Sequence, residues 1–334
     1  MVPALVSLAA GCGSDGGGGG GGATAEATAS VLGLLAAVPD TEGTRGQPIT
    51  YGNLARLRDG DTAGSLEDDV TLLIERSSNS VSLPRAVSNG ILEPEFREFT
   101  GFDTRDIDAF IDFGSQLDQV AVIVGSVDVG DLESALRSSP SGDDLVTESI
   151  DDVTYLSLGA EGEIDFEAVS AVRRLGESIR IAVDGAVLYW SRSRAVVDAC
   201  VAATANGSAS LADDAAFAAV ATALDQAGVV TAQMVPPWSG EAWDVAGLGE
   251  TFQGETSTVT IALHYADAAA ATAAVAALGT HLQTGASLAG TPWSEVLTAT
   301  EIRADGQLLI ATLKSLDPGI TGEIYARQEN LLQF

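Results

Sequence analysis

The acidic stretch between residues 93 and 112 holds the densest group of side chains that could do chemistry in this sequence. Its carboxylates belong to Glu93, Glu95, Glu98, Asp103, Asp106, Asp108 and Asp112. Several carboxylate oxygens together suit a hard cation such as Ca²⁺. However, the spacing matches no EF-hand loop, and Arg97 and Arg105 interrupt the acids. We therefore predict a solvated acidic face and no metal site.

The same stretch predicts a helix. Asp103 is placed to cap its N-terminus, and Asp106 would follow in the first turn, where negative charge is favourable. The helix would then bury Ile107, Phe110 and Ile111. Paired carboxylates for glycoside hydrolysis are conceivable in so acidic a chain, but no spacing singles out a pair.

The histidines and cysteines do not form a catalytic or zinc-binding pattern. His264 and His281 are the only histidines, and they lack the i, i+4 spacing of a zinc helix. No G-x-S-x-G sequence is present to form a nucleophile elbow. Cys200 lies in the apolar stretch AVVDACVAA, which favours a small buried side chain over a nucleophile. We therefore assign no catalytic residue and no cofactor.

Two tryptophans offer a candidate contact surface. Trp238 and Trp243 flank the loop PPWSGEAW, whose proline and glycine residues are typical of a surface loop. Exposed tryptophan side chains stack on sugars and pack against protein partners. We predict that this loop forms a binding surface.

The N-terminal residues LVSLAAGC resemble a bacterial lipoprotein signal. The resemblance implies diacylglyceryl transfer to the Cys12 sulfur and cleavage before it, so that residues 1–11 are the signal and Cys12 carries acyl chains such as palmitate. More than one acyl chain gives stable anchoring. No Lys or Arg precedes Arg45, so we expect the true start to lie upstream of Met1. The glycine run from Gly16 to Gly22 follows, and residues 12–30 are predicted to form a flexible tether.

Charge narrows the set of partners. The formal net charge is -31, from 47 acidic and 16 basic residues. Such a surface repels phosphate backbones, so nucleic acid is excluded as a partner. It also disfavours adhesion to anionic lipid, which leaves the acyl chains on Cys12 as the predicted membrane contact. Any anionic ligand must bind to the first part of the chain, because no basic residue occurs between Arg194 and Arg303.

A strand, an aspartate, a helix and an Asp-Gly hairpin occur twice in the same order. The first set is the strand at 119–128 and the hairpin at 178–191; the second is the strand at 257–267 and the hairpin at 300–314. This order favours an α+β fold of mainly antiparallel sheets with helices on one face, built from two related units at 31–205 and 206–334.

The repeat makes a prediction about register. We expect two sets of side chains to occupy the same sheet positions, all buried beneath equivalent helices that contribute Ala135 and Val275. The first set is Val120, Val122 and Val124, and the second is Val259, Ile261 and Leu263.

The segments YGNLARLRD (51–59), FTGFDTRDIDAF (99–110) and VAVIVGSVD (120–128) resemble uncharacterised actinobacterial cell-envelope lipoproteins. The resemblance carries no assigned activity. The sequence therefore favours a membrane-anchored, non-catalytic extracytoplasmic module that binds an envelope protein, glycan or lipid. Two alternatives stay open at this point: a carboxylate-based hydrolase of envelope polymers, and a solute-binding receptor of a transporter with a ligand between two lobes.

Overall fold

The computed structural model describes residues 28–59, 83–88, 90–115, 118–173, 175–205, 207–237, 240–253, 256–316, 319–326 and 329–334. Cys12, the glycine run and Trp238 lie outside these residues. The described helices are α1 (Val31–Leu35), α2 (Glu42–Arg45), α3 (Leu54–Asp59), α4 (Arg85–Ser88), α5 (Pro94–Thr100), α6 (Val129–Ser138), α7 (Arg194–Thr204), α8 (Ala215–Gln226), α9 (Ala268–Thr284), α10 (Trp293–Val296) and α11 (Ile320–Ala326).

The described strands form one antiparallel sheet. They are β1 (Ile49–Asn53), β2 (Ile107–Phe113), β3 (Val120–Gly125), β4 (Val146–Ile150), β5 (Val153–Leu158), β6 (Ile179–Asp184), β7 (Val187–Ser191), β8 (Thr231–Val235), β9 (Trp243–Gln253), β10 (Thr256–Tyr265), β11 (Leu297–Asp305) and β12 (Leu308–Ser315). Their order across the sheet is β11-β12-β10-β9-β8-β1-β2-β3-β7-β6-β5-β4. The predicted α+β class with antiparallel strands is confirmed.

Helices cover both faces of this sheet, whereas the sequence predicted helices on one face only. On the face that carries Val122 and Ala262, called the front face here, α1, α7 and α8 share a core cluster with the strands. On the opposite back face, α3 to α6 cover the β2-β3-β7-β6 side, and α9 to α11 cover the β9-β10-β12 side. Central strands that are buried on both faces contain continuous runs of apolar residues. Such a run does not show by itself whether helices cover one face of the sheet or both.

The two halves of the sheet share a strand order. β8-β9-β10-β12-β11 in the second half corresponds to β1-β2-β3-β7-β6 in the first, and the two halves meet where β1 pairs with β8. The first half adds the hairpin β4–β5 at its outer edge. The sheet runs continuously between the two halves, and the domain boundary at 205/206 stays a prediction.

The predicted register is wrong by one residue. Counting from the two hairpin turns, Leu188 and Leu309 are equivalent; Leu188 pairs with Ile123, and Leu309 pairs with Leu263. Ile123, and not Val122 or Val124, is therefore the equivalent of Leu263. A one-residue shift moves a side chain to the other face of the sheet. All six predicted side chains are nevertheless buried, because both faces are covered.

Helix contacts follow the corrected register. Helix α6 packs through Leu132 and Leu136 on the face that carries Ala121 and Ile123, and Ala135 is only partly buried. The aspartates at the strand-to-helix junctions act as predicted: Asp128 accepts from the backbone N–H of Gly130, and Asp267 from that of Ala270, both at 2.8 Å. These bonds satisfy N–H groups that a helix leaves unpaired in its first turn.

On the front face, α8 lies close to β9 because that strand contains glycine where the helix crosses it. A Cβ atom on Gly247 would stand 2.5 Å from Val220 Cγ1 and 3.0 Å from Leu224 Cδ1. The missing side chain lets the helix approach the strand and close the core above the centre of the sheet.

Candidate binding cleft

A cleft opens on the back face of the first half, where β7 ends and β6 begins. Its walls are α4, the start of α5 and the segment 171–179, and its volume is about 290 Å³. Ligand pockets in proteins usually span roughly 300 to 1,000 Å³. The cleft therefore has room for a small molecule. We call it the arginine cleft, because Arg85, Arg173 and Arg192 all line it.

The floor of the arginine cleft is aromatic. Phe96 on α5 and Trp190 on β7 line it, with ring centroids 6.2 Å apart, and Phe102 packs behind both rings. Helix α5 starts with Pro94, which suits the first turn of a helix, and ends at Gly101 in a left-handed conformation. These two signals fix the short helix that holds Phe96 against Trp190.

One wall depends on a glycine. A Cβ atom on Gly90 would stand 1.9 Å from the carbonyl oxygen of Ala171, so only glycine allows the segment after α4 to lie against the segment 171–179. This close approach brings Arg85 and Arg173 to the same cleft, although they are far apart in the sequence.

The three arginines have different partners. Arg192 forms an ion pair with Glu177, which also lines the cleft. Arg173 is 3% exposed and donates to the carbonyl oxygens of Glu177 and Gly176, at 2.9 Å each, and to Ser141 Oγ at 3.2 Å. Arg85 is close to half exposed. Among the described lining residues, Glu177 is the single carboxylate facing three guanidinium groups.

Behind Arg85 lies a fully buried carboxylate, Asp112 on β2. Its Oδ2 accepts from the backbone N–H of Arg85 at 2.7 Å and lies 3.8 Å from Arg85 Nε, while Oδ1 has no partner in the described part of the chain. Burial raises the pKa of Asp112 to about 7, and the Arg85 N–H and guanidinium oppose that shift only in part. Near neutral pH, Asp112 therefore neutralises Arg85 incompletely.

Comparison with known proteins identifies no family. No protein-family model matches the chain, and no curated protein matches it. Crystal forms I, IV and III of TP0453, a Treponema protein, are similar at TM-scores of 0.44, 0.42 and 0.42. Their sequence identities are 10%, 10% and 12%; the matches cover 88% of this chain and 96%, 96% and 97% of TP0453.

The acidic stretch at 93–112 does not form the predicted helix. Asp103 does cap, but it caps a single 3-10 turn at Thr104–Asp106, and strand β2 follows at once with Ile107, Phe110 and Ile111 in it. The β-branched and aromatic residues of this run favour a strand. The carboxylate of Asp103 pairs with Arg97 and Arg105, and no cluster of three or more potential metal ligands occurs in the described ranges.

The predicted tryptophan surface is not supported at Trp243. This residue starts β9, is 3% exposed, and donates from Nε1 to the carbonyl oxygen of Leu332 at 3.4 Å. The sequence placed it in a loop, but its ring packs into the back-face core with α9. Trp238, the other half of the prediction, lies outside the described residues.

Two further side chains that the sequence analysis considered, His264 and Cys200, lie away from the cleft. His264 Nδ1 lies 2.9 Å from Asp244 Oδ2. Cys200 is buried in α7, and burial raises the pKa of its thiol to about 12, so it carries no thiolate at neutral pH. Of the helices that the structure describes, none combines the length and the apolarity needed to cross a bilayer.

Sequence reasoning missed the segment that connects β5 to β6. It carries four exposed apolar side chains beside the arginine cleft, namely Ile164, Phe166, Val169 and Leu175. Phe166 is 77% exposed. The one signal available was the length of this connection, since long loops without regular structure are often functional. Exposed apolar side chains grouped in one segment are typical of an interaction surface.

Proposed function

We propose that this protein is a lipid-anchored, non-catalytic binding module on the extracytoplasmic face of the cell membrane, and that the arginine cleft is its ligand site. The observation that carries the ligand site is the composition of the cleft. An apolar aromatic floor and a few converging polar groups are what small-molecule sites have in common.

The polar groups of the cleft are suited to binding and poorly suited to catalysis. Glu177 is engaged by Arg192, so it is not a free general base. The hydroxyls of Ser191 and Ser178 donate to the main-chain carbonyls of Gln119 and Arg192, at 2.8 Å and 3.5 Å. A hydrolase of envelope polymers would need two carboxylates facing each other, and the described lining offers one.

The other alternative, a transporter receptor, predicts two lobes with parallel strands and a ligand between them. The described strands instead form one antiparallel sheet. The cleft lies on a face of that sheet, beneath α4 and α5. This arrangement favours a single binding module over a receptor that closes its two lobes around a solute.

Membrane attachment rests on the lipoprotein signal at Cys12. We expect the full-length chain, expressed with its signal in a bacterial host, to partition into the detergent phase of Triton X-114. The Cys12→Ser variant should move to the aqueous phase, because the acyl chains are the only proposed membrane contact. Equal partitioning of the two proteins would refute the anchor.

Ligand binding at the cleft is tested with a variant that fills it. Ala86 lines the cleft on α4, and Ala86→Trp should block it. Ala299→Trp places the same side chain on the exposed edge strand β11 and is the matched control. In a thermal-shift panel of anionic, neutral and cationic solutes, at least one solute should raise the Tm of the wild type and of the control, but not that of Ala86→Trp. A panel with no such solute would count against the cleft as a ligand site.

A further inference from the structure

We infer that the ligand of the arginine cleft is a compact molecule that joins one anionic group, a carboxylate or a phosphate, to an apolar ring. This inference rests on the proposed function and specifies the chemistry of its ligand. It comes from the charge, the hydrogen-bond donors and the apolar rim of the cleft.

The charge of the cleft is opposite to that of the chain. The whole sequence has a formal net charge of -31, yet the described lining holds three arginines and one carboxylate. Arg192 pairs with Glu177, and the buried Asp112 lies 3.8 Å from Arg85, so at least one positive charge, that of Arg173, is in excess among the described residues. A local positive charge inside a strongly negative surface concentrates anions at that point.

The lining also has unused donors. A guanidinium carries five N–H groups, and the three hydrogen bonds recorded for Arg173 in the described structure use three of them. Gln119 borders the same cleft, and its Nε2 has no acceptor among the described residues. Buried donors without acceptors are costly, and an acceptor-rich anion would satisfy them.

The apolar rim accounts for the other part of the ligand. Phe96 and Trp190 close the floor and are only 1% and 4% exposed, so the apolar surface open to a ligand lies at the rim, on Leu175, which is 56% exposed. An inorganic anion would leave this surface in contact with water. A ring attached to the anionic group would cover it, and burying apolar area contributes roughly 25 cal/mol per Å².

The size of the cleft limits the ligand. Its volume of about 290 Å³ lies at the lower end of the range for ligand pockets, which is roughly 300 to 1,000 Å³. A single substituted ring fits this space. A long acyl chain or an oligosaccharide does not fit inside it.

Benzoate, phenyl phosphate, benzamide and inorganic phosphate are suitable probes for calorimetric titration of the full-length Cys12→Ser chain. We expect benzoate or phenyl phosphate to bind, and benzamide and inorganic phosphate to bind at least tenfold more weakly. Arg85→Gln and Arg192→Gln should each weaken binding of the anionic ring by about tenfold, since a hydrogen bond to a charged group contributes at least about 1.5 kcal/mol. Arg303→Gln is the control, because Arg303 lies on β11 and pairs with Asp305.

The results can be interpreted once the Tm of each variant shows that the variant is folded. Binding of benzamide as tight as that of benzoate, blocked by Ala86→Trp, would overturn the anionic ligand but leave the cleft as a binding site. Binding of inorganic phosphate as tight as that of phenyl phosphate would overturn the inference that the ligand contains an apolar ring. Binding of no probe would overturn the inference; whether the proposed function also fails is then decided by the solute panel and Ala86→Trp.

Discussion

The two halves of the sheet have the same strand order, but the elements that cover their back faces differ. In the second half, the long helix α9 lies over β10 to β12, and Trp293 on α10 fills the core beneath it. In the first half, α6 is shorter, and the short helices α4 and α5 with the segment 171–179 cover the remaining sheet incompletely. The arginine cleft is the space that they leave.

This difference teaches that the site depends on the connections and not on the shared strands. The first half has an extra hairpin, β4–β5, and a long connection from β5 to β6 that brings Arg173 and Glu177 to the cleft. In the second half, β11 follows α9 and α10 without such an insertion. Binding residues commonly lie on loops that a rigid scaffold holds in place.

The largest difference in stability between the two halves should come from truncating one aromatic side chain in each of them. Trp293 is 2% exposed and Phe166 is 77% exposed. Trp293→Ala should lower the free energy of unfolding by about 3 to 5 kcal/mol, as expected for a large buried side chain. Phe166→Ala should change it by less than about 0.5 kcal/mol. Urea denaturation measures both, and a comparable loss in the two variants would mean that the β5–β6 connection packs against the fold.

The buried acids of the two halves should differ in their pH dependence. Asp112 has one oxygen without a partner in the described structure, whereas both oxygens of Glu250 accept hydrogen bonds, from the Gly319 N–H and the Thr321 hydroxyl. Burial raises the pKa of Asp112 from 3.8 to about 7. The folded state therefore holds a proton that the unfolded state has lost, so stability falls as the pH rises from about 4 to about 7.

As the pH rises from 5 to 8, ionisation of Asp112 should lower the free energy of unfolding by about 2 to 3 kcal/mol, at about 1.4 kcal/mol for each pKa unit. Asp112→Asn should remove this part of the pH dependence. Burial also raises the pKa of Glu250, and Glu250→Gln is the matched variant in the other half. Denaturation at the two pH values gives the comparison. An unchanged slope in Asp112→Asn would show that Asp112 stays ionised across this range.

A smaller effect should come from adding one methyl group to a glycine in each region. Gly90→Ala and Gly247→Ala should each cost about 1 to 3 kcal/mol of stability, as expected for overpacking. Only Gly90→Ala should also weaken binding of the anionic probe, because its Cβ would displace the Ala171 carbonyl that forms part of the cleft wall. Equal affinities of the two variants for the probe would show that this wall does not contribute to ligand binding.

Local signals in the sequence were sufficient for some of the strands, the two Asp-Gly turns and several caps. The Asp-Gly pairs at 184–185 and 305–306 predicted two hairpins, which the structure contains as β6–β7 and β11–β12. The caps at Asp128 and Asp267 were also predicted, because an acceptor just before a helix is a local requirement. The run from Ile107 to Phe113 was assigned to a helix and is a strand, since an apolar run of this length fits either structure.

The sequence alone determined that this is an acidic α+β protein with a recurring strand–helix–hairpin order. It also determined that no Lys or Arg lies between Arg194 and Arg303. It also carries the lipoprotein signal from which the anchor at Cys12 is proposed. Only the tertiary structure decided which face each side chain occupies and which distant arginines converge. Trp243 is buried because of strand register, and Arg85 and Arg173 line the same cleft because Gly90 lets two distant segments approach at Ala171. Those are contacts between segments far apart in the chain, and local sequence patterns do not encode them.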